Sequence, residues 1–123
     1  MLQKSPESDL PNKGQTMPDD PVKCANFKYL ISRWCWQTSV GGHHHRFTNP
    51  LGLSFHIRCF EFAPGTRFVG TPTEDHTWFT GYGWAIAHCA SCHTHLGWYF
   101  TESENPPQFF GLIKDRIADR TNE

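Results

Sequence analysis

Residues 53–62 alternate in character. Leu53, Phe55, Ile57 and Cys59 fall on one side of an extended backbone, and Ser54, His56 and Arg58 fall on the other. This period-two pattern is the signature of a strand with one buried face. Shorter apolar or aromatic pieces follow the same rule elsewhere. Residues 27–36 precede a Gly41-Gly42 turn, and residues 46–48 are closed by Asn49-Pro50 and Gly52. Ala63-Pro64-Gly65 turns the chain into residues 67–70, which Pro72 ends. Residues 84–89, 96–101 and 108–113 complete the set, and residues 114–120 read as a helical turn or a frayed end. Many short strands between turn residues predict an all-β sandwich or barrel-like fold.

At 123 residues the chain fits one domain with a real core. The first 21 residues carry Pro6, Pro11, Pro18 and Pro21, mixed charges and no aromatic ring. They offer too little apolar surface to offset the entropy of ordering, so residues 1–21 are expected to be a disordered tail. The fold is expected over residues 22–117, with 118–123 as a C-terminal tail. A net charge of -1 and a pI near 6.7 lack the basic excess of a nucleic-acid binder. No apolar run approaches the ~20 residues that span a bilayer, and no secretory leader is evident. The expectation is a soluble, cytoplasmic chain in which disulfides are disfavoured.

The five cysteines are then better read as metal ligands or buried thiols. Cys89 and Cys92 form a CxxC, a spacing at which two thiolates on one tight turn reach a tetrahedral metal. Cys24 is the natural start of a second pair, but Phe27 stands where its second thiol would be. Cys35, His43, His93 or water are candidates for a fourth ligand. Buried free thiols and a redox CxxC are the competing readings. Cys59, between Arg58 and Phe60, is the best candidate for a lone nucleophile, against an inert buried strand cysteine.

Aromatic residues make up 15% of the chain. Trp78, Trp84 and Trp98, with Phe100 close by, sit among Gly81, Gly83 and Gly97. Tryptophan is rarely buried whole, so three on neighbouring segments either box a small ligand or join the core. His76 and Thr77 precede Trp78 in an apparent loop. The run His43-His44-His45 reads as a polar loop of adventitious surface histidines, with metal binding as the alternative.

The order Cys24, Gly41-Gly42, Asn49-Pro50, Trp78-Phe79-x-Gly81-Tyr82-x-Trp84, Cys89-x-x-Cys92, His95-Leu96-Gly97-Trp98-x-Phe100 and Phe110-Gly111-Leu112-Ile113 resembles the CULT domain, the thalidomide-binding family typified by cereblon. The resemblance covers about residues 22–117, and the length is similar to that of single-domain bacterial members. It implies a β-tent fold, in which two antiparallel sheets meet at an angle and are pinned by one zinc. It implies a cage of Trp78, Trp84, Trp98 and Phe100 bordered by Asn49, Pro50 and Phe55. The backbone around His76, Thr77 and Trp78 would hydrogen-bond a cyclic imide or a similar uracil-type ring, free or at a protein end. Zinc would fall to Cys24, Cys89 and Cys92. The expectation is a binding module without catalysis, whose protein partner the sequence does not name. Two rivals stand beside it: a methionine sulfoxide reductase using Cys59, and an aromatic cage for a methylated cation with Glu74 and Asp75 near Trp78.

Overall fold

The computed structural model describes residues 20–104 and 106–118. In chain order the strands are β1 (Pro21–Cys24), β2 (Leu30–Arg33), β3 (His44–Thr48), β4 (Ser54–Phe60), β5 (Thr66–Phe68), β6 (Gly83–Cys89), β7 (His95–Thr101), β8 (Gln108–Ile113) and β9 (Ile117–Ala118). Short 3-10 turns span Trp34–Trp36 and Lys114–Arg116. The strands form two antiparallel sheets, β2-β1-β9 and β3-β4-β8-β7-β6-β5, as an all-β chain should.

Residues 1–19 and 119–123, which hold most of both expected tails, lie outside the described residues, as does Asn105. Pro21 opens β1, one residue before the expected start, in a first-strand position that proline tolerates. Ala118 pairs with Lys23, so the fold runs one residue past the expected end. Only Leu30–Arg33 of the segment 27–36 is strand, because Cys24 and its neighbours form a tight turn first. The histidine run is not a loop. His44 and His45 belong to β3, opposite Arg58 and Ile57, and the His45 ring stacks on Phe47 at 5.4 Å.

The large sheet buries apolar side chains on both faces. On one face Phe60, Leu96, Phe110 and Leu112 meet Val22, Cys24, Ile31 and Ile117 of the small sheet. On the other face Ile57, Cys59, Trp98, Phe100, Phe109 and Ile113 lie beneath Phe79 and Tyr82 from the loop before β6. Phe79 sits edge-on to Phe100 at 4.9 Å and to Phe109 at 5.0 Å, the preferred crossed-ring geometry. Each such ring removed from water contributes roughly 1.5–3 kcal/mol. The Tyr82 hydroxyl donates to the Pro106 carbonyl at 2.7 Å, which ties the loop down. That loop covers only part of the sheet face, and the uncovered part is the cavity described below.

Two glycines fit the strands together beneath this face. A Cβ on Gly97 would collide with the Gly111 carbonyl oxygen. One on Gly111 would stand 2.8 Å from the Ile57 methyl and 3.1 Å from the Phe100 ring. The pairing of β6 with β7 also shifts between Ala87 and His88, so that Ala87 faces Gly97 but His88 faces His95. This bulge turns His95 to the same face as Trp98, and bulges commonly re-aim a side chain in this way. Gly111→Ala should therefore overpack the face and lower stability by about 1–3 kcal/mol in urea unfolding. An unchanged midpoint would show that the face can relax around the added methyl.

Candidate functional site

The uncovered sheet face forms a cavity of about 490 Å³, within the range of about 300–1,000 Å³ usual for small-molecule sites. Trp98 and Phe100 of β7 form its floor, at 8% and 1% exposure. Phe55 of β4 stands edge-on to Trp98 at 5.3 Å, and Trp78 does the same at 4.8 Å. Trp84 of β6 adds a wall, and its indole Nε1 donates to the Asp75 carbonyl at 2.7 Å. Asn49, Pro50 and His76 complete the part foreseen from sequence. Asn49 shapes its turn by accepting the amide N–H groups of Leu51 and Leu53 on its side-chain oxygen.

Thr77 is the exception. It does not line the cavity; its hydroxyl turns to the backbone of Phe79. Five lining residues were missed: Leu51, Leu53, Ile86, His95 and Arg116. Ile86 was legible, since it lies two residues beyond Trp84 on one strand face. His95 requires the bulge, and Arg116 requires the turn after β8, so neither shows as a pattern. Phe47 was missed as a support: its ring stacks on Trp78 at 5.0 Å and 10° and fixes that indole.

The wall is mostly apolar, but polar groups reach it from the loop. His76 adopts a left-handed backbone, with φ of 56°, a conformation that costs energy in a non-glycine residue and often marks a site. Among the described residues, the N–H and C=O groups of His76 and Trp78 have no hydrogen-bond partner. Burial lowers the pKa of His95, and its Nε2 lies 3.0 Å from the Gly97 carbonyl. Glu74 and Asp75 do not line the cavity, which removes the acidic groups expected to attract a cation.

A second constellation lies on the other side of the large sheet. The Sγ atoms of Cys24, Cys89 and Cys92 are all within 4.8 Å of one another. Two turns with the same hydrogen bonds bring them together. The Cys24 N–H donates to the Tyr29 carbonyl at 2.8 Å, and the Lys28 N–H returns to the Cys24 carbonyl at 2.9 Å. The Cys89 N–H donates to the Thr94 carbonyl at 2.8 Å, and the His93 N–H returns to the Cys89 carbonyl at 3.0 Å. Lys28 and His93 share left-handed φ values of 64° and 66°. Phe27 thus occupies in the first turn the place of Cys92 in the second, with its ring 73% exposed.

This donor set fits a thiophilic divalent metal such as zinc. Three sulfurs converge, and amide N–H groups support them: Ser91 donates to the Cys89 sulfur at 3.4 Å. Burial pushes the Cys24 thiol up against the pull of the Asn26 and Phe27 amides, while the Thr94 hydroxyl and amide bring Cys92 down to about 7. Cys35 is exposed and lies outside the cluster, as do His43 and His93. Cys59 is fully buried in the aromatic core, and desolvation pushes its thiol up to about 12. Such a thiol is a poor nucleophile at neutral pH.

These features define an all-β module with an aromatic cavity on one sheet face and a three-thiol cluster behind the other. Cereblon from Gallus gallus is 29% identical over 104 residues, 82% of this chain and 23% of that protein. Cereblon from Danio rerio is 29% identical over 98 residues, 77% of this chain and 23% of that protein. Cereblon from Drosophila willistoni is 42% identical over 114 residues, 85% of this chain and 18% of that protein. No protein-family model matches the chain. The chain is a cereblon-like CULT domain, and it spans less than a quarter of the length of these relatives. No helix among the described residues is long and apolar enough to cross a membrane.

The repeated turn makes a direct prediction. Phe27→Cys should supply a fourth thiol and tighten zinc binding by at least ~10-fold, the low end of what supporting groups alone contribute. Competition against a chromophoric chelator measures it, and an unchanged affinity would show that the first turn does not aim position 27 at the cluster. In the same protein, iodoacetamide should label Cys59 only after unfolding, read by peptide mass mapping.

Proposed function

We propose that the chain is a binding module that holds a cyclic imide or uracil-type ring, free or as the modified end of a protein, in the cage of Trp78, Trp84, Trp98 and Phe100. The observation that carries this reading is the pairing of flat aromatic walls with unpartnered backbone groups at His76 and Trp78. An imide presents acceptor, donor and acceptor in a row, so one edge of a small ring answers a loop that offers both N–H and C=O. Each such bond contributes about 1 kcal/mol net. The crossed ring planes of Trp78 and Trp98 form a corner, which suits a compact ring rather than a long chain.

Asn49, Pro50 and Phe55 border the ring, and Thr77 acts by holding the loop rather than by touching ligand. Cys24, Cys89 and Cys92 would hold one zinc ion, which when bound crosslinks β1 to the turn between β6 and β7. A ring of about eight heavy atoms gains roughly -0.3 to -1.5 kcal/mol per atom, or about -2 to -12 kcal/mol in all, and the micromolar range expected here, at about -8 kcal/mol, lies inside that span. The sulfoxide reductase reading fails on Cys59, which no substrate can reach without opening the core. A methylated cation is disfavoured because Arg116 is the charged side chain at the wall.

Glutarimide and uracil should each quench tryptophan fluorescence on titration, and N-methylation of the imide should abolish the effect. Trp84→Ala should weaken binding by about 10-fold or more, equal to at least about 1.4 kcal/mol, while circular dichroism shows a folded chain. Trimethylammonium compounds binding where imides do not would overturn the reading. Trp84→Ala binding imides as well as the parent does would remove the cage.

A further inference from the structure

The cavity wall carries a charge that the family motifs do not include. Of the residues lining it, Arg116 alone is of the Asp, Glu, Lys or Arg types. Its position follows from the length of β8. That strand ends at Ile113, opposite Ile57 of β4, and its other neighbour β7 pairs Gly97 with Leu112. Beyond this point Phe55 and His95 continue their strands, but the chain between them turns through Lys114–Arg116. The Arg116 carbonyl accepts the Ala25 N–H at 3.0 Å, which anchors the turn to the small sheet.

The guanidinium then returns to the cavity. Its Nη1 donates to the His95 carbonyl at 3.0 Å, and its carbon lies 5.9 Å from the centre of the Phe55 ring. A guanidinium has five N–H donors in a planar fork, and this contact uses one side of it. Among the described residues no carboxylate pairs with Arg116. The side chain is half-buried, so an anion meeting it keeps part of its hydration and loses little by desolvation. Burial, with the Arg116 charge adding to it, lowers the pKa of His95, and Arg116 is the fixed charge at the wall. At about 490 Å³ the cavity also has room for a substituent on a small ring.

We infer that the cavity selects rings bearing a carboxylate, with Arg116 as the residue that pairs with it. This rests on the ring-binding reading above and names the ligand class within it. A charge-assisted, forked pair adds both attraction and direction, and a neutral ring gains neither. The same charge opposes any cationic ligand.

The test compares uracil with its 5-carboxylate and 6-carboxylate by isothermal titration calorimetry. The two isomers point the anion in different directions from the imide edge. At least one of them should bind the parent about 10-fold more tightly than uracil does, and the advantage should shrink as salt is raised. Arg116→Gln should bring the ratio of carboxylate to uracil affinity close to one, while Arg116→Lys should retain part of it. A merely structural role for Arg116 would weaken all three rings together and leave the ratio unmoved. Uracil binding with no advantage for either carboxylate would overturn this inference alone. Failure of all three rings to bind the parent would overturn the ring-binding reading and this inference with it.

Discussion

A strand inside a sheet presents a side chain to each face in turn, but β8 presents none at Gly111. Ile57 and Phe100 close over that space from the neighbouring strands, and Trp98 pairs with Gly111 across β7. The backbone of Gly111 also comes so close to Gly97 that position 97 has no room for a side chain. The Phe100 ring of the cavity floor thus packs over the space that a side chain at position 111 would fill. The bulge next to Gly97 then swings His95 onto the same face. The aromatic face is thus an outcome of missing side chains as much as of present ones.

From this floor the rest of the site is built by partial cover. The loop before β6 pins Phe79 and Tyr82 over one half of the face and holds Trp78 against Phe47 at its edge. Over the other half none of the described residues packs, and Trp84, tied through its indole nitrogen to the same loop, marks the boundary. Core and cavity wall are therefore one aromatic layer. Phe100 stacks on Phe109 at 4.8 Å as a core ring and lines the cavity as well. Tryptophans of one layer can both pack as core and line a cavity, because the described residues cover that layer on one half only.

Much of this was legible in the residues. Alternation in residues 53–62 located β4 and its buried face, and the runs ending at Cys89, Thr101 and Ile113 located β6, β7 and β8 to within a residue or so. The order of tryptophans and the CxxC carried the resemblance to the family and pointed to residues that line the cavity. What escaped depends on contacts between distant segments. β1 and β9 are too short and too mixed to show a period, and they exist as strands because β1 pairs with β2 on one side and with β9 on the other. His95 escaped because its face is set by a bulge that no alternation announces. Arg116 escaped because it lies past β8, where the sequence reads as a helical turn or a frayed end. Thr77 was placed at the wall by proximity to Trp78, but its hydroxyl satisfies the loop backbone instead.

The two cysteine turns and the cavity sit on opposite faces of the large sheet, and both draw on β6 and β7. Cys89 ends β6, the turn through Cys92 leads into β7, and His95 opens that strand three residues later. Whatever stiffens the Cys89 turn therefore also fixes where β7 starts, and with it the bulge that aims His95 and the carbonyl that holds Arg116. The hydrogen bonds that close this turn already fix its backbone, as they do in its counterpart at Cys24. Position 27 can then carry an outward-facing phenyl ring without unmaking the turn, because the turn is held by its amides and the sulfur is an addition to it. The aromatic core on the far side supplies the burial that the metal would otherwise have to replace. In this chain the three-thiol cluster sits behind a sheet that its own aromatic layers already hold together.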